Sequence, residues 1–205
     1  MKTKFFSIAT IAAIVLGIGT TTFAATKNDS AAKSNEVSTV LTDVSKINKI
    51  EVRGNVELFV TDDTSDQVKV YNRYYAESAL VQNQNGVLRI SSYSAQKLQV
   101  WVKASQLSSI IAYDNAEVKS FGKLSPIEME ITLHDNAYAK LDIDGYSVNI
   151  TVNNRAKADL TGNVSQCNLK YNYAASVNST NFAAEHIVRT VDGFSKNSTQ
   201  EFVGL

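Results

Sequence analysis

The 205-residue chain contains one cysteine and one proline, and its 20 basic residues are matched by 20 acidic ones. A lone thiol forms no internal disulfide, so the fold rests on its core rather than on covalent staples. Without a strict short period the chain is neither collagenous nor a coiled coil. Balanced charge leaves no basic field to attract nucleic acid. No Walker loop, dinucleotide fingerprint, zinc-type cysteine pair or Gly-x-Ser-x-Gly elbow is present, so no motif calls for a cofactor or a metal. What remains is one ordinary domain or a small repeat array with short tails.

The amino-terminal residues have the order of a secretory signal: Lys2 and Lys4, an apolar run from Phe5 through Ile18, then small residues ending at Ala24. Residues 1–24 are expected to be removed. The run is shorter than the roughly 20 residues of a spanning helix, and no second apolar span follows it. With no cysteine near the cut, nothing points to a lipid anchor. Residues 25–44 are mainly small and polar and read as a disordered spacer. Residues 45–205 then form the domain, exported to the periplasm or the cell surface.

From Lys49 onward apolar residues alternate, as in Ile50 and Val52, then Val56, Leu58 and Val60, then Leu98, Val100 and Val102. Period two predicts strands with one buried face. Turn residues punctuate them at Arg53-Gly54-Asn55, Thr61-Asp62-Asp63 and Asn83-Gln84-Asn85-Gly86.

The second half repeats. A shift of 19 superposes Met129, Val148 and Cys167; Ile131, Ile150 and Leu169; and Leu133, Val152 and Tyr171. It also superposes Ala137, Ala156 and Ala175; Ala139, Ala158 and Val177; and Leu141, Leu160 and Ser179. A shift of 21 reaches back to Ile110, Ala112, Ala116 and Val118. Each unit reads as a strand, a three-residue polar corner, a second strand, and a return loop at Gly145 or Gly162. One unit cannot bury its own apolar face, so it must stack on its neighbours in parallel. The expected fold is all-β, a right-handed parallel β-helix with about 19–21 residues per coil. An antiparallel sandwich explains the alternation but not the constant spacing.

The run Ile47-Asn48-Lys49-Ile50-Glu51-Val52-Arg53-Gly54-Asn55-Val56-Glu57-Leu58-Phe59-Val60, followed by Val68-Lys69-Val70, Gly86-Val87-Leu88-Arg89-Ile90 and Leu98-Gln99-Val100-Trp101-Val102, resembles the opening of the head GIN domain proteins. These are auto-transporter adhesin head domains common in Bacteroidetes. The resemblance runs from about Ile47 to Ser179 and implies a β-helical envelope protein without an established activity. Where relatives carry glycine-rich corners, this chain has Asp135-Asn136-Ala137, Asn154-Arg155-Ala156 and Tyr173-Ala174-Ala175.

The polar corners form columns of their own: Tyr113, His134, Asn153 and Asn172; Asp114, Asp135, Asn154 and Tyr173; Asn115, Asn136, Arg155 and Ala174. Asn and Asp suit such corners because they tolerate left-handed backbone. Asp114, His134, Asp135 and Asn154 make the candidate surface site, since stacked coils would set the two carboxylates about 4.8 Å apart. An enzyme of the carbohydrate-active kind, or a carbohydrate-binding module, would use this corner. Against it, His134 and Asp135 are adjacent and point apart on a regular strand. Tyr71, Arg73, Tyr74 and Tyr75 make a candidate aromatic contact, or a cap on the stack's end. His186 reads as a surface residue and Cys167 as a small buried hydrophobe. The function expected first is non-catalytic: adhesion, or contact with an envelope glycan or surface protein through sheet faces and polar corners.

Overall fold

The computed structural model describes residues 38–41, 44, 46–71, 79–192 and 200–202. All of these lie in one compact unit, Asn35–Leu205. The expected signal, most of the spacer, and Arg73, Tyr74 and Tyr75 lie outside the described residues. Among those described there is no helix, and the chain is all-β.

The strands are β1 (Ser38–Leu41), β2 (Lys49–Gly54), β3 (Val56–Asp62), β4 (Gln67–Tyr71), β5 (Ala79–Gln84), β6 (Val87–Ser92) and β7 (Leu98–Ala104). They continue as β8 (Ser109–Ala112), β9 (Glu117–Ser120), β10 (Glu128–Leu133), β11 (Tyr138–Val152), β12 (Lys157–Asn172), β13 (Ser176–Asp192) and β14 (Gln200–Phe202). All join one curled sheet.

Within it run two parallel ladders. The first passes through β6, β2, β8 and β10 and then the carboxy-terminal parts of β11, β12 and β13. The second passes through β7, β3 and β9 and then the amino-terminal parts of those same three strands. The inward residues of the first ladder, Leu88, Ile50, Ile110, Ile131, Ile150 and Leu169, and of the second, Val100, Leu58, Val118, Ala139 and Ala158, belong to one buried cluster. Burial alternates strictly along β2 and β3, which is the physical origin of the period-two pattern. Each large aliphatic side chain so buried contributes about 1.5–3 kcal/mol.

The repeat register is present: Ile131 pairs with Ile150 and Ile150 with Leu169, both in parallel, and Met129, Val148 and Cys167 line up likewise. Four details differ from the sequence reading. Leu160 does not pair with Ser179, because a bulge between Asp159 and Thr161 moves the spacing from 19 to 20, so that Thr161 faces Asn181 and Cys167 faces Ile187. There is no return loop at Gly145 or Gly162, since β11 and β12 run through the bend as continuous strands, the ladder skipping only Tyr146 and Ser165. Gly162 makes that bend possible with φ 105°, where a Cβ would lie 2.1 Å from the Ile143 carbonyl oxygen.

The third difference is order. β2 and β3, first of the ladder strands in sequence, are not at the end of their ladders but lie one strand in, between β6 and β7 on one side and β8 and β9 on the other. The fourth is β1, which falls inside the segment read as disordered spacer yet pairs antiparallel with β4. Its Leu41 packs against the core, and the apolar pair Val40-Leu41 supplies what the preceding polar residues lack.

Antiparallel strands close the stack at both ends. β4 lies on β7 and β5 on β6, the latter through an Asn85-Gly86 turn with both φ positive, at 53° and 79°. At the far end β14 lies on β13. Such strands cover edges that would otherwise template pairing with another chain.

Candidate functional site

The corners between the ladders are four-residue turns in which the fourth N–H donates to the first carbonyl: Ala116 to Tyr113 at 3.1 Å, Ala137 to His134 at 3.0 Å and Ala156 to Asn153 at 3.1 Å. The second residue of each is left-handed: Asp114 (φ 60°), Asp135 (φ 60°) and Asn154 (φ 57°). Only residues with a short polar side chain tolerate this without glycine.

These side chains hold the corners to one another. The Asp135 Oδ2 accepts from the Asp114 main-chain N–H at 3.2 Å, and its Oδ1 from the Asn154 Nδ2 at 3.0 Å. The Asp114 Oδ2 accepts from the Tyr93 hydroxyl at 3.0 Å. That bond raises the Tyr93 hydroxyl above the usual phenol range. In the next column Asn136 donates to Asn115 at 3.4 Å and accepts from the Arg155 Nε at 3.0 Å.

His134 does not join the carboxylates. Its ring lies flat on Tyr113, with centroids 4.7 Å apart and planes 4° apart, and the Arg53 guanidinium lies 3.6 Å from the Tyr113 centroid. The structure thus brings together Asp114, Asp135 and Asn154 and sends His134 to a separate cation–aromatic stack. Among the described residues no three His, Cys, Asp or Glu side chains gather as a metal set.

Of the predicted aromatic contact, Tyr71 is described. It belongs to a cluster on the outer face of the second ladder. Trp101 stacks on Phe59, with centroids 4.5 Å apart and planes at 21°; Phe121 meets Trp101 edge-on at 5.2 Å and Tyr71 does so at 6.5 Å. The Lys69 Nζ sits 4.7 Å from the Tyr71 centroid. Phe121 is 61% exposed, and the other three rings are half-buried. Phe59 and Phe121 were missed because the alternation marks them only as outward. Their meeting with Trp101 requires the β3–β7 pairing that sets Phe59 opposite Trp101.

Beside the rings runs a charge network. Lys119 pairs with Glu57 at 2.5 Å and with Glu117 at 3.0 Å, and Glu117 also pairs with Lys97. The hydrogen bond from Lys97, joined by that from Lys119, lowers the Glu117 carboxyl, while Glu57 raises the Lys119 ammonium. Elsewhere, His186 is exposed and Cys167 is 2% exposed, its thiol pushed up to about 11 by burial.

No curated protein matches the chain. Its fold is similar to three solved structures: a "putative adhesin" from Bacteroides fragilis NCTC 9343 (TM-score 0.66, 14% identity, 77% of this chain and 76% of that one), a "putative adhesin" from Parabacteroides merdae ATCC 43184 (0.63, 14%, 76% and 77%) and a "putative lipid binding protein" from Parabacteroides distasonis ATCC 8503 (0.62, 10%, 78% and 79%). At these identities the likeness concerns the fold. Residues 46–199 match the family described as "Putative auto-transporter adhesin, head GIN domain". That span takes in both ladders, the corner columns and the aromatic cluster, and the chain belongs to this head GIN domain family.

Proposed function

We propose that the chain is an exported, non-catalytic envelope protein that makes adhesive contact, with a glycan or a surface protein, through the outer face of its second ladder. The observation that carries this is the cluster of Trp101, Phe59, Phe121 and Tyr71 on that face, bordered by charged and amide groups. Aromatic faces beside polar groups are the usual makings of a contact surface. The signal-like order of residues 1–24 supports export, to the periplasm or the cell surface. The 19-, 20- and 21-residue offsets between paired strands support winding as a right-handed parallel β-helix, a stiff mount for such a face.

The other reading makes the Asp114, His134, Asp135 corner a carbohydrate-active enzyme or binding module, and the nearness of the two carboxylates favours it. Both oxygens of Asp135 already serve the turns, and His134 faces elsewhere, so the corner is assigned to structure.

The test is binding of the purified mature protein to envelope fractions and glycan arrays. Trp101→Ala with Phe121→Ala should reduce binding at least tenfold with an unchanged circular dichroism spectrum. Equal binding by the double variant would remove this face from the function. Polysaccharide turnover that Asp135→Asn abolishes without unfolding would overturn the non-catalytic reading.

A further inference from the structure

On the strands that follow the Trp101–Phe59 cluster, where the corner column meets the second ladder, Glu117, Asn136, Tyr138, Arg155 and Lys157 line an open depression of about 600 Å³. Its volume is that of a small-ligand cleft. Register places the residues: Tyr138 lies between Glu117 and Lys157 on neighbouring strands, and Asn136 and Arg155 are successive members of one corner column.

The charge balance of the depression is uneven. Glu117 is already paired with Lys97 and Lys119. Asp159, just outside, accepts the Tyr138 hydroxyl at 2.6 Å. The guanidinium of Arg155 uses only its Nε, on Asn136, which leaves the fork of Nη groups open, and Arg155 and Lys157 pair with no carboxylate among the described residues. Both are exposed, so the two positive charges face outward beside a half-buried tyrosine ring. The bond to Asp159 pins that ring. Burial and then that bond push the Tyr138 hydroxyl up to about 12, so the ring stays neutral in any physiological setting.

We infer that this depression binds a carboxylated sugar, a hexuronate unit of an acidic glycan, with its carboxylate on Arg155 and Lys157 and its ring against Tyr138. A guanidinium fork matches a carboxylate in two parallel hydrogen bonds, which a neutral sugar cannot use. A pinned aromatic ring offers an apolar face to the C–H side of a pyranose at little cost in side-chain order. The Glu117 carboxylate accepts from sugar hydroxyls without needing a new cation, since its own are in place. The inference shares with the proposed function only the assumption that this outer face is free for contact.

Titration calorimetry of the mature protein with oligogalacturonate and with alginate oligomers tests it, using fully methyl-esterified oligogalacturonate as the uncharged counterpart. At least one uronate oligomer should bind, at least tenfold more tightly than the ester, and weaken as salt is raised. Arg155→Gln with Lys157→Gln should lose at least tenfold, while Tyr138→Phe should keep most of the binding because the ring remains. No binding of either oligomer, equal binding of the ester, or equal binding by the double variant overturns the inference. So does competition by millimolar inorganic phosphate or sulfate as effective as that by free galacturonate, which would mark a general anion site. If uronate binding fails while envelope binding still depends on Trp101 and Phe121, only this inference falls. If both fail, the reading of the face falls with it.

Discussion

The side chains of Asp135 and Asn154 are joined at 3.0 Å across 19 residues of sequence, and each sits at the left-handed position of its own corner. The other Asp135 oxygen holds the corner before it, so one carboxylate ties three successive corners together. Asp135→Ala removes both bonds and places a Cβ-bearing residue with no compensating polar group at φ 60°. The expected loss is about 2–3 kcal/mol in urea unfolding. Asp135→Gly loses the bonds but not the backbone fit, and should recover about 1 kcal/mol relative to Ala.

Gly162→Ala should be worse than any corner change. Its Cβ would fall 2.1 Å from the Ile143 carbonyl oxygen and 2.8 Å from the Ile143 carbon, both backbone atoms held in the ladder. Since neither can yield without breaking pairs, a loss above about 3 kcal/mol is expected from the same unfolding curves.

The contrast between these positions shows how far the sequence could be read. The pairing of Ile131 with Ile150 and the stacking of Asp114, Asp135 and Asn154 were legible, because consecutive repeats of nearly equal length put a register into the spacing. The place of β2 and β3 was not. Their offsets to β6 and β8, 38 and 60 residues from Ile50 to Leu88 and to Ile110, arise from insertion between later strands, and no constant shift reports that. His134 was misplaced for a local reason. It shares a corner with Asp135, but its flat ring finds a better partner in Tyr113 one coil away.

Removing a core column should confirm that the ladders share one interior. Ile150 is 1% exposed with paired neighbours on both sides, so Ile150→Ala is expected to cost about 2–5 kcal/mol by denaturant titration. A cost below about 1 kcal/mol would mean that the column is loosely packed.

Cys167 should be silent in the folded protein. With 2% exposure and its thiol pushed up to about 11, it carries almost no thiolate at pH 8. A colorimetric disulfide reagent should label it at least a hundredfold faster in 6 M guanidinium than in native buffer. Rapid labelling without denaturant would contradict the packing of Met129, Val148 and Cys167.

Acid should weaken the Glu117 network in a defined direction. The folded-state carboxyl is lowered by Lys97 and Lys119, so its contribution is complete above the unfolded value, about 4.3, and disappears as pH falls through the lowered one. The groups are partly exposed, which limits the effect to less than about 1 kcal/mol. Glu117→Gln should therefore reduce stability at pH 7 slightly and flatten the fall in stability below pH 5. An unchanged acid slope would show that other carboxylates carry it.

The interior position of β2 and β3 also constrains how the molecule comes into being. A strand pair made first, yet flanked by segments made later on either side, gains its first parallel neighbours with β6 and β7, by Ala104, and its second flank only with β8 and β9, by Ser120. Assembly cannot proceed as a zipper from the amino terminus. The opening segment must wait as an unsheltered ribbon and then act as the seed on which growth proceeds first to one side, through β6 and β7, and then to the other, through β8 and β9. Trimming strands from the carboxyl end should shorten the sheet, whereas deleting β2 and β3 should cut β6 and β7 off from β8 and β9.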